Sequence, residues 1–273
     1  MKREVNIFTA AALLSVLMLM LSGSTDGIIS DIIHGAAFLI PAFAGLALER
    51  RMSAAEERHA SLYIKPEGEG FILTLPCIAP AVALVLGLSA LTALVITSVT
   101  GRVDEVSVGD SFTVALFLHV LLPAIFEEAL FRYLSLRLFG ERAPRLALML
   151  SATYFALAHS SLFRIPYAFA AGIILTGLDL LCGSVLPSVI LHFINNLCSL
   201  LLVFFSESEG FTVGFFVTLG VLTAASVVVI LLWRRRYATA LSKALKVRER
   251  WQATNVPLLY IIPTAFIAIT ALL

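Results

Sequence analysis

Long apolar runs recur along this chain and constrain its fold more than any other feature. An uninterrupted apolar run of about 20 residues can cross the hydrocarbon core of a membrane as a helix. The runs fall at residues 6–23, 28–48, 71–98, 111–136, 146–160, 166–182, 186–205, 211–233 and 257–273. They are apolar around the whole helical circumference and do not alternate, which favours helices over membrane-barrel strands. The sequence therefore predicts an all-α, polytopic transmembrane helical bundle with about eight or nine helices.

The composition agrees with a membrane protein and argues against several other classes. Of the 273 residues, 60% are hydrophobic and 14% are charged. A soluble domain is typically about half apolar and about a quarter charged. The net charge of +1 gives no indication of nucleic-acid binding. The long apolar runs make membrane lipid the expected partner. The three cysteines form no CxxC pair, which argues against a disulfide framework or a thiolate zinc site.

The basic residues predict the orientation of the bundle, because cytoplasmic loops of membrane proteins are enriched in lysine and arginine. With the N-terminus in the cytoplasm, sixteen of the 19 Lys and Arg residues fall in cytoplasmic segments. Three units are expected: N-terminal transmembrane helices in 1–110, a functional core in 111–205, and C-terminal transmembrane helices in 206–273. The last unit includes a basic cytoplasmic segment, 234–256, which is either an amphipathic helix on the membrane surface or a solvated linker.

Two adjacent carboxylates and an arginine interrupt the fourth apolar run, in PAIFEEALFR, residues 123–132. Charges inside a bilayer are costly and usually serve a function. Glu128 and Arg132 are four residues apart, so they share a helical face and can pair. Glu127 lies about 100° further around the helix and has no partner of its own there. The Glu128–Arg132 pair could equally be a support that only holds helices together.

A histidine in the next run is expected to meet Glu127. Glu127 lies 13 residues before Gly140, and His159, in FALAH, lies 15 residues after Pro144. An antiparallel hairpin with its turn between these two positions would bring both side chains to a similar depth. Three arginines around the turn place it in the cytoplasm, so we expect the site in the inner half of the membrane.

The third polar group lies in HFINN. His192 and Asn196 are four residues apart and share a face, whereas Asn195 is expected to point away from it. A His–Asn pair can donate hydrogen bonds to an oxyanion. Hydrogen bonding between helices without catalysis is the alternative. Three further residues are expected to be packing or interfacial groups: His34, His119 and Asp179.

A carboxylate, two histidines and an asparagine from three helices can carry out water-dependent amide hydrolysis. Glu127 would be the general base, made more basic by its apolar surroundings, and His159 would hold the water or orient the base. His192 and Asn196 would stabilise the tetrahedral oxyanion. The chain contains no HExxH, HxxEH or GxSxG motif. Zinc bound by His and Glu side chains from several helices is an alternative.

These residues resemble the motifs of a known family. EEALFR, FALAH and HFINN are similar, in this order, to the EExxxR, FxxxH and HxxxN motifs of the CAAX proteases and bacteriocin-processing enzymes, the CPBP or Abi family. The resemblance covers about residues 115–205 and implies a glutamate-dependent intramembrane protease, similar to CAAX prenyl endopeptidases of the Ras-converting type. It implies these residues: catalytic Glu127 and His159, oxyanion-stabilising His192 and Asn196, and supporting Glu128 and Arg132.

The resemblance also implies an integral protein of a prokaryotic cell membrane that acts on a peptide or a lipidated protein. CAAX-type C-terminal processing is one candidate activity, and no cofactor is expected unless the zinc alternative holds. A non-catalytic bacteriocin-immunity or membrane-scaffold protein is the main rival, and a proton-coupled transporter is a third. The substrate's identity and the oligomeric state are left open.

Overall fold

The structure, a computed structural model, describes residues 2–23, 27–55, 68–103, 111–159, 161 and 163–246. Within these ranges the regular structure is helical and contains no strand, so the predicted all-α fold is confirmed. The helices are α1 (Lys2–Gly23), α2 (Gly27–Ala55), α3 (Gly68–Thr74), α4 (Ile78–Thr100), α5 (Phe112–Gly140), α6 (Pro144–Ala158), α7 (Ile165–Cys182), α8 (Leu186–Phe204), α9 (Glu209–Leu232) and α10 (Arg234–Ala244).

Among the described residues, five helical stretches are long and apolar enough to cross a membrane. They are Gly68–Thr100, which joins α3 to α4, and the helices α5, α7, α8 and α9. Helix α6 is apolar but shorter, with 15 residues. The protein is therefore an integral membrane protein built as a helical bundle. The ninth predicted run, 257–273, lies outside the described residues, and the division into three units stays a prediction.

Helices α5 and α6 form the expected antiparallel hairpin, which turns between Gly140 and Pro144. Ion pairs join the turn end of the hairpin to the first two helices. Arg137 Nε lies 3.2 Å from Glu49 Oε2 on α2, and Arg142 Nη1 lies 3.5 Å from Glu4 Oε1 on α1. The turn end of the hairpin therefore carries charged side chains that pair with α1 and α2.

Helices α6 and α7 approach each other closely because small residues face each other. A Cβ atom added to Gly172 would lie 2.6 Å from the Cα atom of Ala152. One turn further along α7, Thr176 Oγ1 donates a hydrogen bond of 3.0 Å to Ser151 Oγ, and both side chains are buried. Small residues and interhelical hydrogen bonds are the usual means of packing helices inside a membrane.

The first part of the basic segment is a helix, α10, packed against the bundle. Tyr237 Oη donates a 2.6 Å hydrogen bond to the Leu73 carbonyl, where the helix is interrupted by a 3₁₀ turn at Leu75–Cys77. Ala244 and Leu245 pack against the core. Residues 234–246 are therefore not a solvated linker. Residues 247–256 lie outside the described part of the chain.

Candidate active site

The two adjacent carboxylates have different surroundings. Glu128 Oε1 lies 2.9 Å from Arg132 Nη1, and these two side chains are 1% and 0% exposed. The pair expected from the four-residue spacing is therefore present. Glu127 lines a cavity of about 800 Å³. Within the described part of the chain, its carboxylate accepts no hydrogen bond.

Helix α5 is irregular around these carboxylates. The α-helical turns Leu122–Glu128 lie between two π-helical turns, Leu116–Leu121 and Ala129–Leu134. A π-helical turn inserts one extra residue per turn and re-aims the side chains that follow it, and such turns are frequent at functional sites. Simple helical spacing therefore predicts the Glu128–Arg132 pair but not the irregular backbone on either side.

His192 is held by the same carboxylate that pairs with the arginine. Its Nδ1–H donates a hydrogen bond of 2.7 Å to Glu128 Oε1. Because a carboxylate oxygen accepts this bond, Nδ1 carries the proton, and in the neutral ring Nε2 carries the lone pair. Glu128 thus connects Arg132 on α5 to His192 on α8. The helical pattern of α5 alone does not reveal this connection.

Asn196 is oriented by a backbone carbonyl on α5. Its Nδ2 atom donates a hydrogen bond of 3.2 Å to the carbonyl oxygen of His119. In an α-helix this oxygen would accept from the N–H four residues later, but that residue is Pro123, which has no N–H. The proline therefore removes one donor that would compete with Asn196, although His119 lies in a π-helical turn, whose bonds run to the N–H five residues later. The signal in the sequence is a proline four residues after His119, and sequence reasoning missed it.

His159 follows the last residue of α6, and its ring is also oriented by the backbone. Its Nδ1–H donates a hydrogen bond of 2.8 Å to the carbonyl oxygen of Phe155. A carbonyl is only an acceptor, so in neutral His159 the Nε2 atom carries the lone pair. Both histidines therefore use Nδ1 in a supporting hydrogen bond.

The ring of Phe155 lies among the charged and imidazole groups. Arg132 Cζ is 3.9 Å from its centroid, which is a cation–π contact. The centroids of His159 and His192 lie 4.8 Å and 5.7 Å away in edge-to-face arrangements. Phe155 thus contacts three candidate residues on three elements. Its signal in the sequence is the four-residue spacing to His159 in FALAH.

The cavity brings together the four residues predicted to be catalytic. Glu127, His159, His192 and Asn196 all line it, although they lie on α5, just after α6 and on α8. The supporting residues Glu128 and Arg132 are not part of its lining.

Other polar residues line the cavity as well. Asn195, expected to point away from the helical face that His192 and Asn196 share, also lines it, and its Nδ2 atom lies 3.5 Å from Asn196 Oδ1. Adjacent residues on α8 reach one cavity because it extends around more of the helix than a single face. His34, His119 and Arg164 line it as well, and the expectation that the two histidines are packing or interfacial groups stays a prediction.

Among the described residues, no group of three His, Cys, Asp or Glu side chains is close enough to hold a metal ion. Of the residues that the sequence predicted to lie near Glu127, only His159 and His192 could offer an imidazole nitrogen to a metal ion. The prediction that no cofactor is needed stays a prediction.

The fold and the cavity define a class of protein: a polytopic α-helical membrane protein with a carboxylate, histidines and an asparagine around a cavity between its helices. Residues 109–198, which are 90 of the 273 residues, match the family model described as Type II CAAX prenyl endopeptidase Rce1-like. This match supports the resemblance drawn from the motifs over this segment, and the family description names a class of protease. Comparisons with curated proteins and with solved structures each found no match.

Proposed function

We propose that the protein is an intramembrane endopeptidase in which Glu127 activates a water molecule to cleave a peptide bond. The observation that carries this proposal is the meeting of Glu127, His159, His192 and Asn196 at one cavity of about 800 Å³. The match of residues 109–198 to a family of endopeptidases supports the reaction class.

In the proposed reaction, the Glu127 carboxylate removes a proton from water as the oxygen attacks the scissile carbonyl carbon. The same proton is then given to the leaving nitrogen when the C–N bond breaks. A carboxylate without hydrogen-bond donors in a mostly apolar site is a stronger base than one in water. The Nε2 lone pair of neutral His159 can accept a hydrogen bond from the water and so hold it for attack.

His192 and Asn196 would stabilise the negative oxygen of the tetrahedral intermediate. The Asn196 amide has two N–H groups, and the bond to the His119 carbonyl uses one of them, which leaves the other for the oxyanion. His192 uses Nδ1 for the bond to Glu128, and its Nε2 would donate to the oxyanion in the imidazolium form. One oxyanion donor is typically worth about 10²–10³ in rate.

The proposed substrates are membrane-associated proteins or peptides, with CAAX-type C-terminal processing as one candidate activity. We also propose that the N-terminus is cytoplasmic and that the site opens toward the inner half of the membrane. The charged side chains gathered at the hairpin end, among them Arg137 and Arg142, support this orientation. In this mechanism the reaction needs no cofactor.

The first test compares membrane-protein C-termini by proteomics in cells that carry the wild-type protein or Glu127→Gln. Peptides whose cleavage is lost in the variant are then tested on purified protein. We expect Glu127→Gln to lower kcat by about 10²–10⁴, because it removes the base. Glu207→Gln, the same substitution at an exposed position before α9, is the matched control and should leave cleavage unchanged. Full activity in Glu127→Gln would show that the mechanism is wrong.

Two further outcomes separate the alternatives. Loss of cleavage with a strong chelator, restored by added zinc, would favour the zinc-dependent variant of the protease. A cellular phenotype that survives loss of both Glu127 and His159 would favour a non-catalytic immunity or scaffold protein.

A further inference from the structure

Asp179, near the end of α7, is a buried carboxylate that the proposed reaction does not use. Its side chain is 0% exposed, and its Oδ1 atom accepts a hydrogen bond of 2.9 Å from the Ser188 N–H at the start of α8. Its backbone carbonyl accepts from Gly183 N at 2.7 Å and from Ser184 N at 3.2 Å. Gly183 has a positive φ of 72°, which ends α7. One residue therefore closes α7 and holds the first turn of α8.

The first turn of α8 needs an acceptor from outside the helix. The first N–H groups of a helix have no partner within it. The Leu186 N–H donates to Ser184 Oγ at 3.2 Å, and Pro187 has no N–H. The Ser188 N–H is left, and Asp179 accepts it. A carboxylate at this position also interacts favourably with the positive end of the helix dipole.

The cap is one helical turn from the candidate site. Ser188 and His192 are four residues apart, so they lie on the same face of α8, and the Ser188 side chain is also 0% exposed. His192 in turn donates from Nδ1 to Glu128 at 2.7 Å. A rotation of the first turn of α8 would therefore move the imidazole relative to the carboxylate that orients it.

Asp179 also interacts with the other side of this contact. It has electrostatic interactions with Glu128 and with Arg132. Asp179, which caps α8, is therefore close enough to the Glu128–Arg132 pair to interact with it electrostatically. Glu128 of that pair accepts the hydrogen bond from His192.

We propose that Asp179 is a positioning residue, which holds His192 against Glu128 by accepting the Ser188 N–H at the start of α8. The expected effect of Asp179 substitutions on cleavage rests on the proposed function. Their expected effect on the position of the His192 ring does not, so either expectation can fail without the other.

Two substitutions distinguish the cap from a general need for a polar group. Asp179→Asn keeps an oxygen that accepts from Ser188, and asparagine caps helices about as well as aspartate. Asp179→Leu has no acceptor. We expect Asp179→Leu to lower kcat by about 10–100-fold with KM unchanged, since a small misplacement of a catalytic group costs up to about 10²-fold. The kcat of Asp179→Asn should stay within about threefold of the wild-type value, because asparagine keeps the cap.

The matched control removes a cap of another helix. Ser208 Oγ accepts from Phe211 N at 3.3 Å and caps α9, which does not line the cavity. Ser208→Ala should therefore leave kcat unchanged. Asp179→Ala is the second variant if Asp179→Leu does not fold, because alanine removes the acceptor without adding apolar bulk.

The second readout is ¹⁵N NMR of histidine-labelled protein in detergent, with the His192 signals assigned from His192→Gln. We expect a protonated Nδ1 signal shifted by the bond to Glu128 in the wild type, in Asp179→Asn and in Ser208→Ala, and a displaced signal in Asp179→Leu. An unchanged His192 signal in Asp179→Leu would overturn the proposal, as would equal loss of activity in Asp179→Asn and Asp179→Leu. If the wild type cleaves nothing but its His192 signal responds as expected, the proposed function fails and the positioning role stands.

Discussion

The adjacent carboxylates offer a prediction that separates folding from catalysis. Glu128→Gln should destabilise the protein strongly, whereas Glu127→Gln should leave its stability nearly unchanged. The reason is the difference in their partners. Glu128 contacts the guanidinium of Arg132 at 2.9 Å and the imidazole of His192 at 2.7 Å. Glu127 accepts no hydrogen bond from the described residues.

The size of the effect follows from the burial of Arg132, which is 0% exposed. Removing one partner of a buried ion pair costs about 3–5 kcal/mol, because the remaining charge is left uncompensated. Glutamine keeps an oxygen that can accept from Arg132, so we expect a loss of about 3 kcal/mol, at the lower end of that range. For Glu127→Gln, which breaks no hydrogen bond within the described part of the chain, we expect a change within about 0.5 kcal/mol.

The assay measures the free energy of unfolding by reversible unfolding in mixed detergent micelles, and thermal unfolding supports it. It is applied to each single variant and to the double variant that combines Glu128→Gln with Arg132→Met. The double variant removes both charges and should recover most of the lost stability, because an apolar replacement of a buried pair is often neutral. Glu207→Gln is the control for the substitution itself. Equal destabilisation by Glu127→Gln and Glu128→Gln, or a double variant no more stable than Glu128→Gln, would refute this reasoning.

Three other substitutions test the packing around the site. Gly172→Ala should destabilise the bundle by about 1–3 kcal/mol, because its Cβ would meet α6 at 2.6 Å. Gly177→Ala, on the same helix with open space at that position, should show no such loss in the same unfolding assay. Phe155→Leu should lower kcat by about tenfold, since the ring packs on both site histidines; cleavage kinetics at wild-type rate would contradict this role. Tyr237→Phe should lower the free energy of unfolding by about 0.5–1.5 kcal/mol, because it removes the hydrogen bond to the Leu73 carbonyl. The protease sensitivity of α10 should also rise, and an unchanged digestion pattern would contradict this prediction.

The parts of the site that sequence reasoning predicted correctly are local. The Glu128–Arg132 pair depends on a spacing of four residues on one helix, and the hairpin that brings His159 toward Glu127 depends on one short turn. Both involve short separations along the chain. Helical geometry alone is therefore enough to predict them.

The parts that sequence reasoning missed are contacts between distant segments. His192 and Glu128 are 64 residues apart, and Asn196 and His119 are 77 residues apart. Asn195 was expected to face away because a helical wheel gives the direction of a side chain but not the width of a cavity. Only the packing of α8 against α5 shows that both asparagines reach it.

The sequence alone is enough to predict a bundle of membrane helices, because only helices and closed barrels satisfy the backbone hydrogen bonds in a bilayer, and the runs lack the alternation of barrel strands. It also singled out the few polar side chains whose burial needs a reason. The tertiary structure decided which of them share partners: Glu128 with His192, and Asp179 with the first turn of α8. These choices depend on how helices far apart in the chain rotate and pack, and no local pattern specifies that rotation.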